Sequence, residues 1–147
     1  MKDIKTMCDQ VRQIAHDIHI YPGHGDLEKV YENALAHRLT KAALKVRQQC
    51  PINVFDGDET LIGEYHADLL VEDVDVIELK TVGSLAPEHE AQITGYPKST
   101  RLEHGLLINF GSYKFEIRQL AWSEQLQKSK LSLAAVFISA FFAFFAV

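Results

Sequence analysis

Three charged side chains within one segment could carry out metal-assisted chemistry. Asp68 lies in an apolar run, and Glu78 and Lys80 follow it in EYHADLLVEDVDVIELK, residues 64–80. A tight turn centred on Asp73 would pair the two halves of this segment as an antiparallel hairpin, with residue 68 facing residue 78. Because side chains at i and i+2 of a strand share a face, Asp68, Glu78 and Lys80 would project from one side.

Two facing carboxylates repel each other, so this arrangement requires a compensating positive charge. Directly opposed Cβ atoms lie about 4.5–5.5 Å apart, where like charges are destabilising. Lys80 supplies one positive charge, and a hard divalent cation held by Asp68 and Glu78 would supply the rest. An ammonium group beside such an ion can hold a water or stabilise charge on a phosphate under attack. The alternative is a structural carboxylate–lysine pair at a sheet edge.

Two predicted helices precede this hairpin. Apolar residues at helical spacing predict the first over residues 3–20, ended by Tyr21-Pro22-Gly23. Asp26 is a suitable N-cap for the second helix, which is expected to fade near Lys45. Its expected apolar face consists of Leu27, Val30, Tyr31, Ala34, Leu35 and Leu39.

Strand patterns follow the second helix. Period-two segments predict a strand before the turn Asp56-Gly57-Asp58, a return strand over Leu61–Val71 and a third over Asp75–Lys80. The hairpin face opposite Asp68 is expected to carry Ala67, Leu69, Val71, Ile77 and Leu79. A helix over 87–101 and two further strands, 105–110 and 113–120, complete the pattern. The element order predicts an α/β domain with a central mixed sheet flanked by helices.

Composition restricts the class of protein. The 147 residues contain 15 Lys+Arg and 20 Asp+Glu, a formal net charge of −5, and 24% are charged. This balance argues against a basic nucleic-acid coat and against general disorder. The two cysteines, Cys8 and Cys50, cannot form a disulfide framework and lack close cysteine partners for a zinc site. A reducing, cytoplasmic location is the expectation.

The C-terminal segment differs from the rest of the chain. Residues 131–147 contain no ionisable side chain and hold five of the eight phenylalanines. We therefore expect a domain over 1–122, a linker over 123–130 and an apolar tail over 131–147. As a helix, the tail would reach about 25 Å, short of a ~30 Å hydrocarbon core. The repeated triplet Phe-Phe-Ala over 141–146 leaves two interpretations open, a membrane anchor or a translated DNA repeat.

Two helical segments supply further candidate residues. Glu28 lies beside the apolar stripe of the second helix, where a first-turn acid also favours the helix dipole without any other role. His89, Gln92 and Tyr96 follow one another at i, i+3 and i+7 on the third helix. Their alternative interpretation is the polar flank of an amphipathic helix. Pro97 would kink or end this helix, because it lacks an N–H group and crowds the preceding turn.

Taken together, these motifs resemble the PD-(D/E)XK nuclease superfamily and, within it, the small bacterial GxxExxY proteins. The motif that names the latter corresponds to Gly25, Glu28 and Tyr31, and the nuclease core corresponds to Asp68 and Glu78-Leu79-Lys80. A QxxxY element corresponds to Gln92 and Tyr96, and GLLINFG at 105–111 is similar to a late strand of the family. Pro97 departs from the family pattern, which usually continues with an apolar residue.

The resemblance implies a restriction-endonuclease-like core that hydrolyses phosphodiester bonds of DNA or RNA with Mg²⁺ or Mn²⁺. It implies that Glu28, Asp68 and Glu78 bind the metal and that Lys80 positions the nucleophilic water. Gln92 and Tyr96 would orient substrate or metal-bound water. Two alternatives stay open: an inactive nucleic-acid or protein binding module on the same fold, and membrane association through residues 131–147. The oligomeric state is not predicted.

Overall fold

The computed structural model describes residues 3–94, 102 and 104–121. In chain order the elements are α1 (Ile4–Ile20), α2 (Glu28–Lys41), β1 (Val46–Phe55), β2 (Leu61–Val71), β3 (Asp75–Lys80), α3 (Pro87–Thr94), β4 (His104–Asn109) and β5 (Glu116–Ala121). The five strands form one sheet in the order β1-β2-β3-β4-β5. Only β3 and β4 pair in parallel, and α3 lies on the connection between them. The predicted order of elements and the mixed sheet are confirmed.

The two N-terminal helices form as predicted, with differences at the start and end of α2. Asp3 caps α1, because its carboxylate accepts a hydrogen bond from the Thr6 N–H at 3.4 Å. The expected Asp26 cap of α2 is wrong. Leu27 holds the N-cap position without any side-chain hydrogen bond, and the Asp26 N–H donates to the Tyr31 hydroxyl instead. The helix ends at Lys41, four residues before the predicted Lys45.

The buried face of α2 is shifted relative to the predicted one. Its buried residues are Tyr31, Glu32, Leu35, Ala36 and Leu39. Leu27 and Val30 were expected on this face but are 78% and 42% exposed. Leu27 precedes the helix, so helical spacing does not place its side chain. Val30 lies to one side of the buried stripe. That stripe includes Glu32, an acidic residue that a purely apolar pattern does not predict.

Two apolar clusters fill the two sides of the sheet. The larger contains residues of α1 and α2 together with Leu69, Val71, Ile77 and Leu79 of the hairpin, as predicted. The smaller one contains Cys50, Ile52, Ala67, Leu70 and Val76 with Ile93 of α3. Ala67 was expected beside Leu69 and lies instead in the smaller cluster. The alternation of side chains along β2 is therefore interrupted between Ala67 and Leu69. On the neighbouring strand β1 this position corresponds to Gln49, whose φ of +48° is unusual for a strand residue.

The ends of β3 and β4 are joined closely beyond Lys80. The Phe110 N–H donates to the Lys80 carbonyl at 2.8 Å, and the buried Asn109 side chain bonds both the N–H and the C=O of Val82. A Cβ at Gly111 would lie 2.3 Å from the Thr81 carbonyl carbon, so only glycine permits this approach. This packing anchors the end of the strand that carries Glu78 and Lys80.

Several predictions concern residues that the structure does not describe. The predicted helix over 87–101 is observed as α3 up to Thr94. Tyr96, Pro97, the predicted linker and the predicted tail lie outside the described residues. Within the described residues, no helix is long and apolar enough to span a membrane. The predicted division into domain, linker and tail therefore stays a prediction.

Candidate active site

The β2–β3 hairpin has the register that its sequence predicts. Leu69 pairs with Ile77, Leu70 with Val76 and Val71 with Asp75, so continuing this register by one step brings Asp68 opposite Glu78. The backbone ladder ends before that step. Asp68 Oδ2 accepts a hydrogen bond from the Leu79 N–H at 2.8 Å, so a side chain replaces the next backbone bond. Asp68 is thereby held against the segment Glu78-Leu79-Lys80.

Glu78 and Lys80 differ in their exposure to solvent. Glu78 is 3% exposed and lies between neighbouring strands, with Leu107 as its partner on β4. Lys80 is half-buried at the end of the same strand. A carboxylate that is almost fully buried is costly unless it is compensated. The structure thus combines a buried acid and an accessible cation on alternate positions of β3.

Glu28 extends the charged group to a third element. It occupies the first turn of α2 and is half-buried. Burial raises the pKa of its carboxyl group, and the negative charges of Asp68 and Glu32 raise it further, while Lys80 lowers it. The Glu28 carboxylate therefore lies within electrostatic reach of both Asp68 on β2 and Lys80 on β3.

Tyr31 supports this part of the site without exposing a reactive group. Its side chain is fully buried, and its ring stacks on that of Phe110 with centroids 4.5 Å apart. Its hydroxyl donates to the Gly23 carbonyl at 2.7 Å and accepts from the Asp26 N–H at 3.0 Å. These two bonds fix the connector that leads into Glu28. Tyr31 of the GxxExxY pattern thus holds the start of α2 in place.

Sequence reasoning missed a group of polar residues next to Asp68. Glu32, one turn after Glu28 on α2, is 3% exposed and contacts the side chains of Lys29, Gln48 and Gln49. Gln49 also reaches Asp68. Two signals in the sequence pointed to this group: an acid at i+4 from Glu28, and the consecutive glutamines 48 and 49 in an otherwise alternating strand.

The third helix contributes less to the described site. Gln92 is exposed on α3, and no described contact joins it to Asp68, Glu78 or Lys80. His89 accepts a hydrogen bond from the Ala86 N–H through Nδ1 at 2.9 Å, so it caps the start of α3. The structure therefore brings together Glu28, Asp68 and Lys80, with Glu78 next to them on β3. No described contact places Gln92 in this group.

The chemistry of these side chains fits a hard divalent cation, although they do not form a closed cage. Carboxylate oxygens are the ligands that Mg²⁺ and Mn²⁺ prefer. Burial and then the negative charges of Asp68 and Glu32 raise the pKa of Glu28, and a bound cation would favour its ionised form. Over residues 3–94 and 104–121, no three His, Cys, Asp or Glu side chains are already arranged to hold a metal ion.

Comparison with solved structures identifies a similar fold in SSO0001. The chain superimposes on SSO0001 with a TM-score of 0.53 and 14% identity, covering 75% of this chain. The chain spans only 57% of the length of SSO0001. An alkaline exonuclease (LHK-Exo) from Laribacter hongkongensis gives a TM-score of 0.48 at 12% identity, covering 97% of this chain and 83% of the exonuclease. No curated protein matches the chain in sequence.

A family model gives the decisive comparison. The model of the PD-(D/E)XK nuclease superfamily matches residues 5–120, a range that includes every element from α1 to β5 except the first and last residues. The five-stranded mixed sheet with helices packed on it is a restriction-endonuclease-like α/β core. Members of this superfamily generally use divalent metal ions. The chain belongs to the PD-(D/E)XK nuclease superfamily.

Proposed function

We propose that the chain is a metal-dependent nuclease of the GxxExxY group that hydrolyses phosphodiester bonds in DNA or RNA. One observation carries this proposal most directly: Asp68 Oδ2 bonds the Leu79 N–H at 2.8 Å, between Glu78 and Lys80. The superfamily membership supports nucleic acid as the substrate class. Gly25, Glu28 and Tyr31 support the assignment to the GxxExxY group, since the Tyr31 hydroxyl holds the connector before Glu28.

In this proposal Glu28, Asp68 and Glu78 hold Mg²⁺ or Mn²⁺. The ion supplies Lewis-acid activation of the scissile phosphate and stabilises its developing charge. The Lys80 ammonium positions the attacking water through a hydrogen bond and offsets negative charge near the phosphate. The water oxygen forms a new bond to phosphorus as the bond to the leaving oxygen breaks; the water gives up a proton to the solvent, and the leaving oxygen takes one from it. Gln92 and Tyr96 are proposed to orient the substrate or a metal-bound water.

Cleavage assays test this function. The purified chain is incubated with single-stranded and duplex DNA and RNA in the presence of Mg²⁺ or Mn²⁺. Glu78→Ala and Lys80→Ala are each expected to reduce the cleavage rate by about 10²–10³-fold, the size typical of removing one stabilising group. Lys5→Ala removes a highly exposed lysine of α1 and serves as the matched control, with the parent rate expected. Activity that survives both site substitutions would contradict the proposal.

A binding module without turnover is the second candidate. It is favoured by the lack of a preformed three-ligand group among the described side chains and by the net charge of −5. A protein of this charge binds duplex nucleic acid only weakly without specific contacts, so the charge favours a module whose partner is a protein. Titration calorimetry separates the two candidates. Mg²⁺ binding that disappears in Asp68→Asn supports the nuclease, whereas no binding at millimolar Mg²⁺ supports the module.

Location and the role of the tail are also proposals. We place the protein in the cytoplasm on the basis of its two unpaired cysteines, Cys8 and Cys50, which are both buried. Residues 131–147 would attach it to a membrane only if the tail inserts. Fractionation of cells that express either the full chain or residues 1–130 tests this. A soluble full-length chain would leave no role for the tail as an anchor.

A further inference from the structure

Two consecutive glutamines of β1 reach the same carboxylate. Gln48 Nε2 donates to Glu32 Oε1 at 3.1 Å, and Gln49 Nε2 donates to Glu32 Oε2 at 3.0 Å. Neighbouring residues of a regular strand point to opposite faces and could not do this. The φ of +48° at Gln49 interrupts the alternation and turns its side chain to the same side as that of Gln48. The positive φ at Gln49 thus allows both glutamine side chains to bond Glu32.

The Gln49 carboxamide also contacts Asp68. Its nitrogen lies 3.4 Å from Asp68 Oδ1, while Asp68 Oδ2 accepts the Leu79 N–H at 2.8 Å. An amide nitrogen carries two hydrogens, so one can bond Glu32 and the other can bond Asp68. The two oxygens of Asp68 are therefore contacted from the two neighbouring strands, β1 and β3.

Glu32 is the fixed acceptor in this arrangement. It is almost fully buried, and Lys29 donates to its Oε1 at 2.9 Å in addition to the two glutamines. With N–H donors on both oxygens, this carboxylate is engaged in holding the glutamine side chains. Its location on α2 connects the helix that carries Glu28 to the strand that faces Asp68.

We propose that Gln49 is a positioning residue for Asp68, held by Glu32 and by its left-handed backbone conformation. It keeps the Asp68 carboxylate on the Leu79 N–H and directed towards the metal site. The consequence for metal binding rests on the proposed nuclease function. Backbone conformations of this kind persist where the surrounding structure enforces them, and they concentrate at functional sites.

The test separates the side chain of Gln49 from its backbone. Glycine adopts a φ of +48° without strain, so Gln49→Gly removes the carboxamide while permitting the same chain path. Gln48→Gly is the matched control, because it removes a neighbouring carboxamide that bonds the same Glu32 but has no described contact with Asp68. Gln49→Asn is a second variant, since asparagine also tolerates positive φ and its shorter side chain ends before both carboxylates.

Two measurements are made on each variant. The first is amide hydrogen exchange in metal-free protein, followed by NMR, with the other amides of β3 as references. We expect the Leu79 amide to exchange about 10-fold faster in Gln49→Gly and in Gln49→Asn, because Asp68 is no longer held on it. The second is calorimetric titration with Mn²⁺, where both variants are expected to bind about 10–100-fold more weakly than the parent. Gln48→Gly is expected to change either value by less than about 3-fold.

The outcomes distinguish this inference from the function on which it rests. Unchanged Leu79 exchange in both Gln49 variants would overturn the positioning role, as would an equal acceleration in Gln48→Gly. If the parent neither binds Mn²⁺ nor cleaves nucleic acid, the nuclease proposal fails. A selective acceleration at Leu79 in the Gln49 variants would then still establish that Gln49 holds Asp68.

Discussion

The β2–β3 hairpin carries an aspartate at each end, and the two have different surroundings. Asp68, at the open end, is half-buried and receives hydrogen bonds from the Leu79 N–H and the Gln49 amide. Asp75, next to the turn, is fully buried. Its Oδ2 accepts only a weak bond from the Cys8 thiol at 3.7 Å, and its Oδ1 has no hydrogen-bond partner among the described residues.

The ionisation of Asp75 reflects these surroundings. Burial raises the pKa of its carboxyl group to about 7, against the lowering effect of the bond from the Cys8 thiol. Burial and the neighbouring Asp75 in turn raise the pKa of Cys8 to about 12. His104, the partner of Asp75 on β4, has a buried Nδ1 that likewise lacks a described partner. Asp75 thus has a fully buried carboxyl group with few donors, whereas Asp68 has two N–H donors.

This difference shows that a carboxylate within a hairpin does not by itself make a catalytic site. Ionised carboxylates require donors or cations. Asp68 receives two N–H donors, whereas the one described hydrogen bond to Asp75 comes from the Cys8 thiol. The Asp75 end favours the neutral acid and packs against α1 through Cys8. We therefore expect Asp68 to affect mainly the activity and Asp75 to affect mainly the stability.

The largest expected effect comes from replacing each aspartate with asparagine. Asp68→Asn is expected to reduce the cleavage rate by about 10²–10³-fold, because it removes the charge that we propose binds the metal but keeps an oxygen for the Leu79 N–H. Asp75→Asn is expected to change the rate by less than about 3-fold at neutral pH, since no described contact joins this residue to Glu28, Asp68, Glu78 or Lys80. Initial rates of both variants on the same substrate check this. Equal losses of rate in Asp68→Asn and Asp75→Asn would contradict the expected difference between the two ends of the hairpin.

The next effect is a dependence of stability on pH. The neutral form of Asp75 is favoured in the folded state, so its contribution to stability is complete below the unfolded pKa near 4 and is lost as pH rises through about 7. Between pH 5 and pH 8, the parent is expected to lose about 2–3 kcal/mol of unfolding free energy relative to Asp75→Asn. Urea unfolding of both proteins at these pH values measures the difference. Parallel pH profiles would show that Asp75 does not titrate differently on folding.

The smallest effect sharpens the comparison by giving Asp75 a better donor. Cys8→Ser replaces a weak thiol donor with a hydroxyl group, which bonds the ionised carboxylate more strongly. The pKa of Asp75 should then fall towards its ordinary value, and the loss of stability from pH 5 to pH 8 should shrink by about 1 kcal/mol. The same unfolding experiment measures this change. An unaltered pH profile would indicate that burial alone sets the pKa of Asp75.

The predicted part of the site rests on local patterns. The spacing of Asp68, Glu78 and Lys80 around one tight turn was sufficient to predict their approach, because a short hairpin restricts the register to few choices. The observed pairing of Leu69 with Ile77 confirms that register. The same pattern wrongly placed Ala67 beside Leu69, because strict alternation does not anticipate a residue with positive φ such as Gln49.

The missed part of the site depends on contacts between distant segments. Glu32 follows Glu28 by one helical turn, but its partners Gln48 and Gln49 come from a strand that only tertiary packing brings beside α2. The Asp26 cap was wrong for a similar reason. The Tyr31 hydroxyl, whose ring packs on Phe110, accepts the Asp26 N–H, and the N-cap position falls one residue later, at Leu27.

The sequence alone therefore determined the order of elements, the hairpin register and the acidic and basic residue types at 28, 68, 78 and 80. These follow from periodicity and turn chemistry, which act over a few residues. Only the tertiary structure decided which carboxylates receive donors and which are buried without them. That choice depends on backbone conformation at Gln49 and on the packing of α1 and α2 against the sheet. Burial and the bond from Cys8 set the pKa of Asp75, and both arise from segments far apart in the chain.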